Sequence, residues 1–197
     1  MFESENTVEK ALFHSLSKYY SLSREAWNGI KVRVKPITVS KGEKILEEGN
    51  IVKGIWLLIS GLTRSYFIKN GKEVTTWFAT EGTPFTNYKS LVHKIPSVET
   101  IEALEDCFMV FLSRDDLDFL YDNHMEFNFV GRRIAENYFI DFDDRMISIL
   151  YSTAEERFKK VISNQPGLLN RVPVKHLASY LNMTPETLSR LRKKATT

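Results

Sequence analysis

The chain has 197 residues, 43% hydrophobic and 26% charged, with a formal net charge of +2; this is the composition of a globular protein that can bury a core, not of a disordered or fibrous one. Its longest uncharged apolar run, Gly54 to Leu62, is too short to cross a bilayer, and the opening MFESENTVEKALFHSL carries acids and no apolar signal core, so a cytoplasmic location with no membrane partner is expected. The single cysteine, Cys107, excludes an internal disulfide and the several thiolates of an iron–sulfur cluster.

A helix is expected around Thr7 to Tyr20. The pattern then changes: Lys31 to Val39 and Ile55 to Ser60 are rich in β-branched and aromatic residues, which favour strands. In TRSYFIK-NG-KEVTTWFA the Asn70-Gly71 pair stands between two strand-like runs, the strongest short hairpin signal. Thr100 to Leu112 offers two more short strands around Cys107, whose apolar neighbours FMVFL favour a buried structural thiol over a redox switch. Short strands separated by glycine-containing turns imply an antiparallel barrel or sandwich. The four histidines, His14, His93, His124 and His176, show no metal-binding spacing, and neither metal nor cofactor is expected.

Ser113 opens a helix with Asp115 and Asp116 in its first turn, where acids complement the macrodipole. A longer helix is expected from about Glu126 to Tyr151. Phe127, Val130, Ile134, Tyr138 and Phe142 trace one apolar stripe along it, while Phe139, Met146, Ile147 and Leu150 extend another side. A helix apolar on two sides needs two partners. The cluster Asp141, Asp143 and Asp144 reads as solvated surface.

The last 45 residues hold nine Lys/Arg against three Asp/Glu, whereas the preceding 152 hold eighteen against twenty-two. A basic tail on a slightly acidic body points to a polyanionic partner for the tail. Val174 to Leu181 reads as a short helix, Asn182-Met183 as a turn, and Thr184 as the cap of a second helix with Pro185 in its first position. This is a helix-turn-helix pattern. Glu186, Ser189 and Arg190 share the exposed side, with Thr184 and Thr187 beside them at the helix start. A glutamate accepts from cytosine and an arginine donates twice to guanine; Arg192, Lys193 and Lys194 are placed for phosphates. The plainer alternative is that Glu186 and Arg190 form only a surface pair one turn apart.

The stretch VKHLASYL, a short turn and TPETLSRLRKK resembles the DNA-binding half of the Crp/Fnr superfamily of bacterial transcription regulators. KGEKILEEGNIVKGIWLLISGLTRSYF is similar to the opening of that family's cyclic-nucleotide-binding β-roll, with Gly42, Gly49, Gly61 and Gly82 at its turns. The resemblance covers roughly residues 20–194 and implies an α+β fold: an antiparallel β-roll sensor over 1–125, a dimerisation helix over 126–151 and a winged-helix-like helix-turn-helix domain over 152–197. It also implies a homodimer on palindromic double-stranded DNA, with Glu186 and Arg190 reading bases, and contact with RNA polymerase. The second partner of the long helix would then be the same helix of another subunit.

The ligand cassette departs from the family. Where cyclic-nucleotide binders carry a glutamate for the ribose and an arginine for the phosphate, EGTPFTNYKSLVHKIPSVETIEAL places Asn87 and Ser97. Serine cannot make the charged two-point grip of a guanidinium, and Glu99 adds repulsion toward an anion. Lys89, His93 or Lys94 stand nearby as substitutes or as solvated loop charges. Tight binding of cyclic AMP or cyclic GMP is therefore not expected; an effector, if one is needed, is an unidentified small molecule. No phosphate-cradling glycine loop, zinc-protease motif or nucleophile elbow occurs, so an enzyme is not expected. The rival reading is a sensor or scaffold whose basic C-terminal helix contacts protein rather than DNA.

Overall fold

A computed structural model describes residues 5–196. In chain order they form helices α1 (Glu5–Ser17) and α2 (Arg24–Lys31), strands β1 (Lys35–Val39), β2 (Lys44–Leu46), β3 (Gly54–Ser60), β4 (Thr63–Lys69), β5 (Lys72–Ala79) and β6 (Pro84–Phe85), helix α3 (Tyr88–His93), strands β7 (Thr100–Ala103) and β8 (Cys107–Ser113), and helices α4 (Arg114–Asn123), α5 (Met125–Tyr151), α6 (Ala154–Asn164), α7 (Leu168–Arg171), α8 (Val174–Tyr180) and α9 (Pro185–Thr196). This is the α+β class read from the sequence. None of these helices is long and apolar enough to cross a membrane.

The strands make two four-stranded sheets, ordered β1-β8-β3-β6 and β2-β7-β4-β5. In the first, β8 is antiparallel to both β1 and β3, with Trp56 opposite Phe111 and Leu57 opposite Val110. Alternation along these strands separates two cores. Trp56, Leu58 and Met109 turn inward with Leu46, Phe85, Leu91 and Ile101. Leu57 and Val110 turn to the opposite face, where α1, α2, α4 and the start of α5 cover them with Leu12, Leu16, Ile30, Leu120, Phe127 and Val130. Side chains that alternate across a pleated strand make both faces apolar when both are covered.

Two positions show how the chain turns so tightly. At the β4–β5 hairpin Asn70 and Gly71 have φ of 52° and 74°, the paired positive values of a type I′ turn. Gly61, at φ +104°, lies against the Asp106 carbonyl and Cys107, where any Cβ would collide. The segment from Lys31 differs from its expected strand. Arg24 to Lys31 is helical because Ser23 Oγ accepts the Ala26 amide at 3.2 Å and Ala26 and Ile30 bury one face; the strand begins only at Lys35.

The chain divides into two compact units, one comprising residues up to Arg64 with Phe78–Asn137, the other Ser65–Trp77 with Tyr138–Thr197. In the second, α6 packs on α7 and α9, and α8 on α9, around Phe158, Leu168, Leu177, Ala178, Leu181, Leu188 and Leu191. Every described element between 154 and 196 is helical, so the wing that the resemblance implies is not built as strands there.

Candidate nucleic-acid interface and ligand cassette

The turn between α8 and α9 is fixed by backbone geometry. Asn182 sits in the left-handed region at φ 50°, its N–H reaches the Ser179 carbonyl at 3.1 Å, and the Met183 N–H reaches the Ala178 carbonyl at 3.0 Å. These two bonds define a Schellman ending, which stops α8 and redirects the chain. Thr184 Oγ1 then accepts the Thr187 amide at 3.2 Å and caps α9. Leu188 and Leu191 are buried, which leaves Glu186, Ser189 and Arg190 exposed together on the opposite side, with Thr184 exposed and Thr187 half-buried at the helix start. The Glu186 carboxyl is held below the usual carboxylate range by its own backbone amide and then by the Thr184 hydroxyl. It is an ionised acceptor.

The basic residues beyond them differ in environment. Lys193 and Lys194 are exposed, and Lys194 forms a solvent-side ion pair with Glu155 at 3.1 Å, a contact that costs little to exchange. Arg192, read from the sequence as a phosphate contact, is half-buried and donates through its Nη2 to the Leu169 carbonyl at 2.9 Å. It braces α9 against the short helix α7 because its stem lies on the buried side beside Leu188 and Leu191.

Two arginines that sequence reasoning did not single out hold the turn. Arg157 in α6 donates from Nε to the Leu181 carbonyl at 2.7 Å and from Nη2 to the Asn182 carbonyl at 3.1 Å. Arg145 in α5 donates from Nη1 to the Tyr180 carbonyl at 2.7 Å and from Nη2 to the Thr75 carbonyl at 3.3 Å. Its guanidinium lies 3.9 Å from the centre of the Tyr180 ring. Burial pulls Arg145 below the ordinary arginine value, with Tyr180 acting against that pull. Ser179 Oγ completes the clasp on the β5 backbone, accepting from the Thr75 amide at 3.0 Å and donating to the Glu73 carbonyl at 3.3 Å. Carbonyls at the end of a helix attract cations, so the signal for both arginines was their place near this turn in space, which a sequence does not give.

The cassette residues are brought together. Asn87 Oδ1 accepts the Ser90 amide at 3.0 Å and caps α3, while its Nδ2 donates to Glu99 Oε2 at 2.7 Å. Ser97 Oγ donates to the Glu99 carbonyl at 2.8 Å, and the Ser97 backbone bridges to Asn50 and Gly49. Asn87, Ser97 and Glu99 thus satisfy one another, and the only full charge among the three is negative. A second polar pair joins β4 to β7: Arg64, 1% exposed, donates from Nε to Glu102 Oε1 at 2.9 Å, with Nη2 at 2.6 Å from the same oxygen.

The apolar stripe of α5 divides along its length. Phe127 and Val130, grouped with Phe142 in the sequence pattern, are buried in the protein's own core and face the roll, with the half-buried Ile134 packed beside them. Tyr138 is partly exposed with its ring 5.3 Å from that of Trp77. From Phe139, 68% exposed, onward the helix shows Ile140, Phe142, Met146, Ile147 and Leu150 to solvent. The aspartates Asp141, Asp143 and Asp144 are also exposed, and no group of three metal-ligating side chains occurs among the described residues.

Residues 36–124 match the family model of the cyclic nucleotide-binding domain. No curated protein matches the chain by sequence. Among solved structures, FixK2 from Bradyrhizobium japonicum is similar with a TM-score of 0.70 and 19% identity over 82% of this chain and 83% of that one. A putative Crp/Fnr-family transcriptional regulator from Eubacterium rectale gives 0.68 and 16% over 88% and 83%. The Thermus thermophilus catabolite activator protein gives 0.57 and 19% over 92% and 86%. Residues 36–124 are therefore a domain of the cyclic-nucleotide-binding type, set in a chain with the fold of the Crp/Fnr regulators.

Proposed function

We propose that the protein is a homodimeric transcriptional regulator of the Crp/Fnr type, which binds palindromic double-stranded DNA through α9 and is not controlled by cyclic AMP. One observation carries the reading: the capped start of α9 presents Glu186, Ser189 and Arg190 together, with Lys193 and Lys194 following on the same helix. The first three have the donors and acceptors of major-groove edges, and the lysines have the charge for phosphates. RNA polymerase is the expected protein partner of such a regulator.

Selection from random duplex DNA tests this directly. A two-fold symmetric site should be recovered, with affinity falling steeply as salt rises. Replacing Arg190 by alanine should then cost about 1–3 kcal/mol on that site, roughly 5- to 150-fold, and relax discrimination at one base pair per half-site. Equal loss on every sequence would remove the base-reading role, and weak salt-insensitive affinity would favour a protein partner for this helix.

Support for cyclic AMP independence comes from the cassette. A cyclic phosphate there would meet the Glu99 carboxylate, already held by Asn87, and no guanidinium at position 97. An anion brought out of water without a paired cation is strongly disfavoured. Calorimetric titration with cyclic AMP should show no saturation up to about 1 mM, corresponding to binding weaker than about 4 kcal/mol; a micromolar dissociation constant would overturn this assignment.

The dimer reading draws on α5. Ala135, Phe139, Phe142 and Met146 are all exposed and follow spacings of four, three and four, the seam of a two-stranded coiled coil. A contiguous exposed apolar strip of this kind marks an interaction surface.

A further inference from the structure

Between the outer face of the β1-β8-β3-β6 sheet and the helices that cover it lies a cavity of about 250 Å³. Leu57 and Val110 line it, whereas their neighbours Trp56, Leu58 and Met109 face the other core, and Leu91 of that core also borders it. Native interiors are close-packed and hold few voids larger than a water, and apolar cavities of about 150 Å³ stay dry and admit benzene. This one is larger, and every wall residue but three lacks a polar side-chain atom.

Those three are Tyr88, Arg114 and Tyr121. Arg114 pairs through its Nε with Asp118 Oδ2 at 2.8 Å, both side chains partly exposed, so the neighbouring carboxylate offsets its charge. Tyr121 is mostly buried, and burial raises its hydroxyl above the ordinary tyrosine value. That hydroxyl lies against Gly131 of α5, where any Cβ would overlap it, so the glycine keeps the space beside the phenol open. Of its lining residues Val92 and Ala135 are exposed, while Leu16, Leu57, Val110 and Val130 are buried.

We propose that this cavity is a binding site for a small, neutral, largely apolar molecule bearing one hydroxyl or carbonyl, which hydrogen-bonds Tyr121. A carboxylate is disfavoured because Asp118 offsets the charge of the one cation on the wall, and an ionised group moved from water to such a wall is poorly compensated. The ligand would touch α3, which follows the cassette residue Asn87, and α5 at Val130 and Ile134. It would thereby favour the arrangement of α5 that keeps the cavity open. That regulatory consequence rests on the DNA-binding reading; the site itself does not.

The test uses the full chain with 2-naphthol, naphthalene and 2-naphthoate as probes, each titrated by calorimetry. 2-Naphthol should bind saturably at one per chain, and 2-naphthoate at least about tenfold more weakly. Tyr121→Phe, which removes only the hydroxyl, should weaken 2-naphthol about five- to tenfold and leave naphthalene unchanged. Circular dichroism confirms that the variant is folded. The proposal is overturned if neither 2-naphthol nor naphthalene saturates, if 2-naphthoate binds as well as 2-naphthol, or if Tyr121→Phe leaves 2-naphthol binding unaltered. Because DNA is absent from the measurement, its failure is distinct from failure of the operator selection.

Discussion

Arg64→Met should lower the unfolding free energy by about 3–5 kcal/mol, because it strands the partner carboxylate of Glu102 in the interior. The guanidinium is 1% exposed and the Glu102 side chain 17% exposed, with 2.6 Å between them. At that burial the pair was assembled at a large desolvation cost, and its mutual attraction offsets that cost only while both members are present. The double variant Arg64→Met with Glu102→Leu removes both charges and should recover most of the loss, since apolar replacements of buried pairs are commonly neutral or stabilising. Urea unfolding of the three proteins measures this. A single variant that loses under about 1 kcal/mol would mean that water reaches the pair as it reaches a surface bridge.

The other large effect is expected at the apolar strip of α5. Phe139→Glu combined with Phe142→Glu places two carboxylates where two copies of the helix would meet, and like charges in a desolvated seam repel. Sedimentation should show a monomer in place of a dimer. Affinity for a two-fold DNA site should fall by about 10²- to 10⁴-fold, the gain that linking two half-site contacts provides. Both side chains are already exposed within the single chain, so the fold should survive, as near-unchanged circular dichroism would verify. A variant that stays dimeric would place the contact elsewhere.

The α8–α9 pair was legible because its rules are local. Thr184, Pro185 and the Leu188–Leu191 spacing each act within one turn of helix, and the structure has the cap and the buried face where those residues put them. The Asn70-Gly71 turn was legible for the same reason. What escaped the sequence were long-range contacts. Arg145 and Arg157 find backbone carbonyls 24 to 70 positions away, and Arg64 meets Glu102 across 38; no period or motif marks these pairs. Arg192 differs from its basic neighbours because a charge run looks uniform in one dimension, whereas a helix turns one of its members toward the buried side. The cassette lay between these extremes. The residue types at 87, 97 and 99 pointed to a lost phosphate grip, but only coordinates bring Asn87 and Glu99 into contact.

The thiol of Cys107 donates to the carbonyls of Glu105 at 3.3 Å and Leu62 at 3.5 Å, and burial pushes it above the ordinary cysteine value. Being the sole sulfhydryl of the sequence and slow to ionise, it should resist maleimides and nitroxide reagents under native conditions. The unaltered chain is thus a ready background for spectroscopy: one surface cysteine introduced into α6 and another into β1 would carry probes free of stray label, and their separation could be followed as ligands are added.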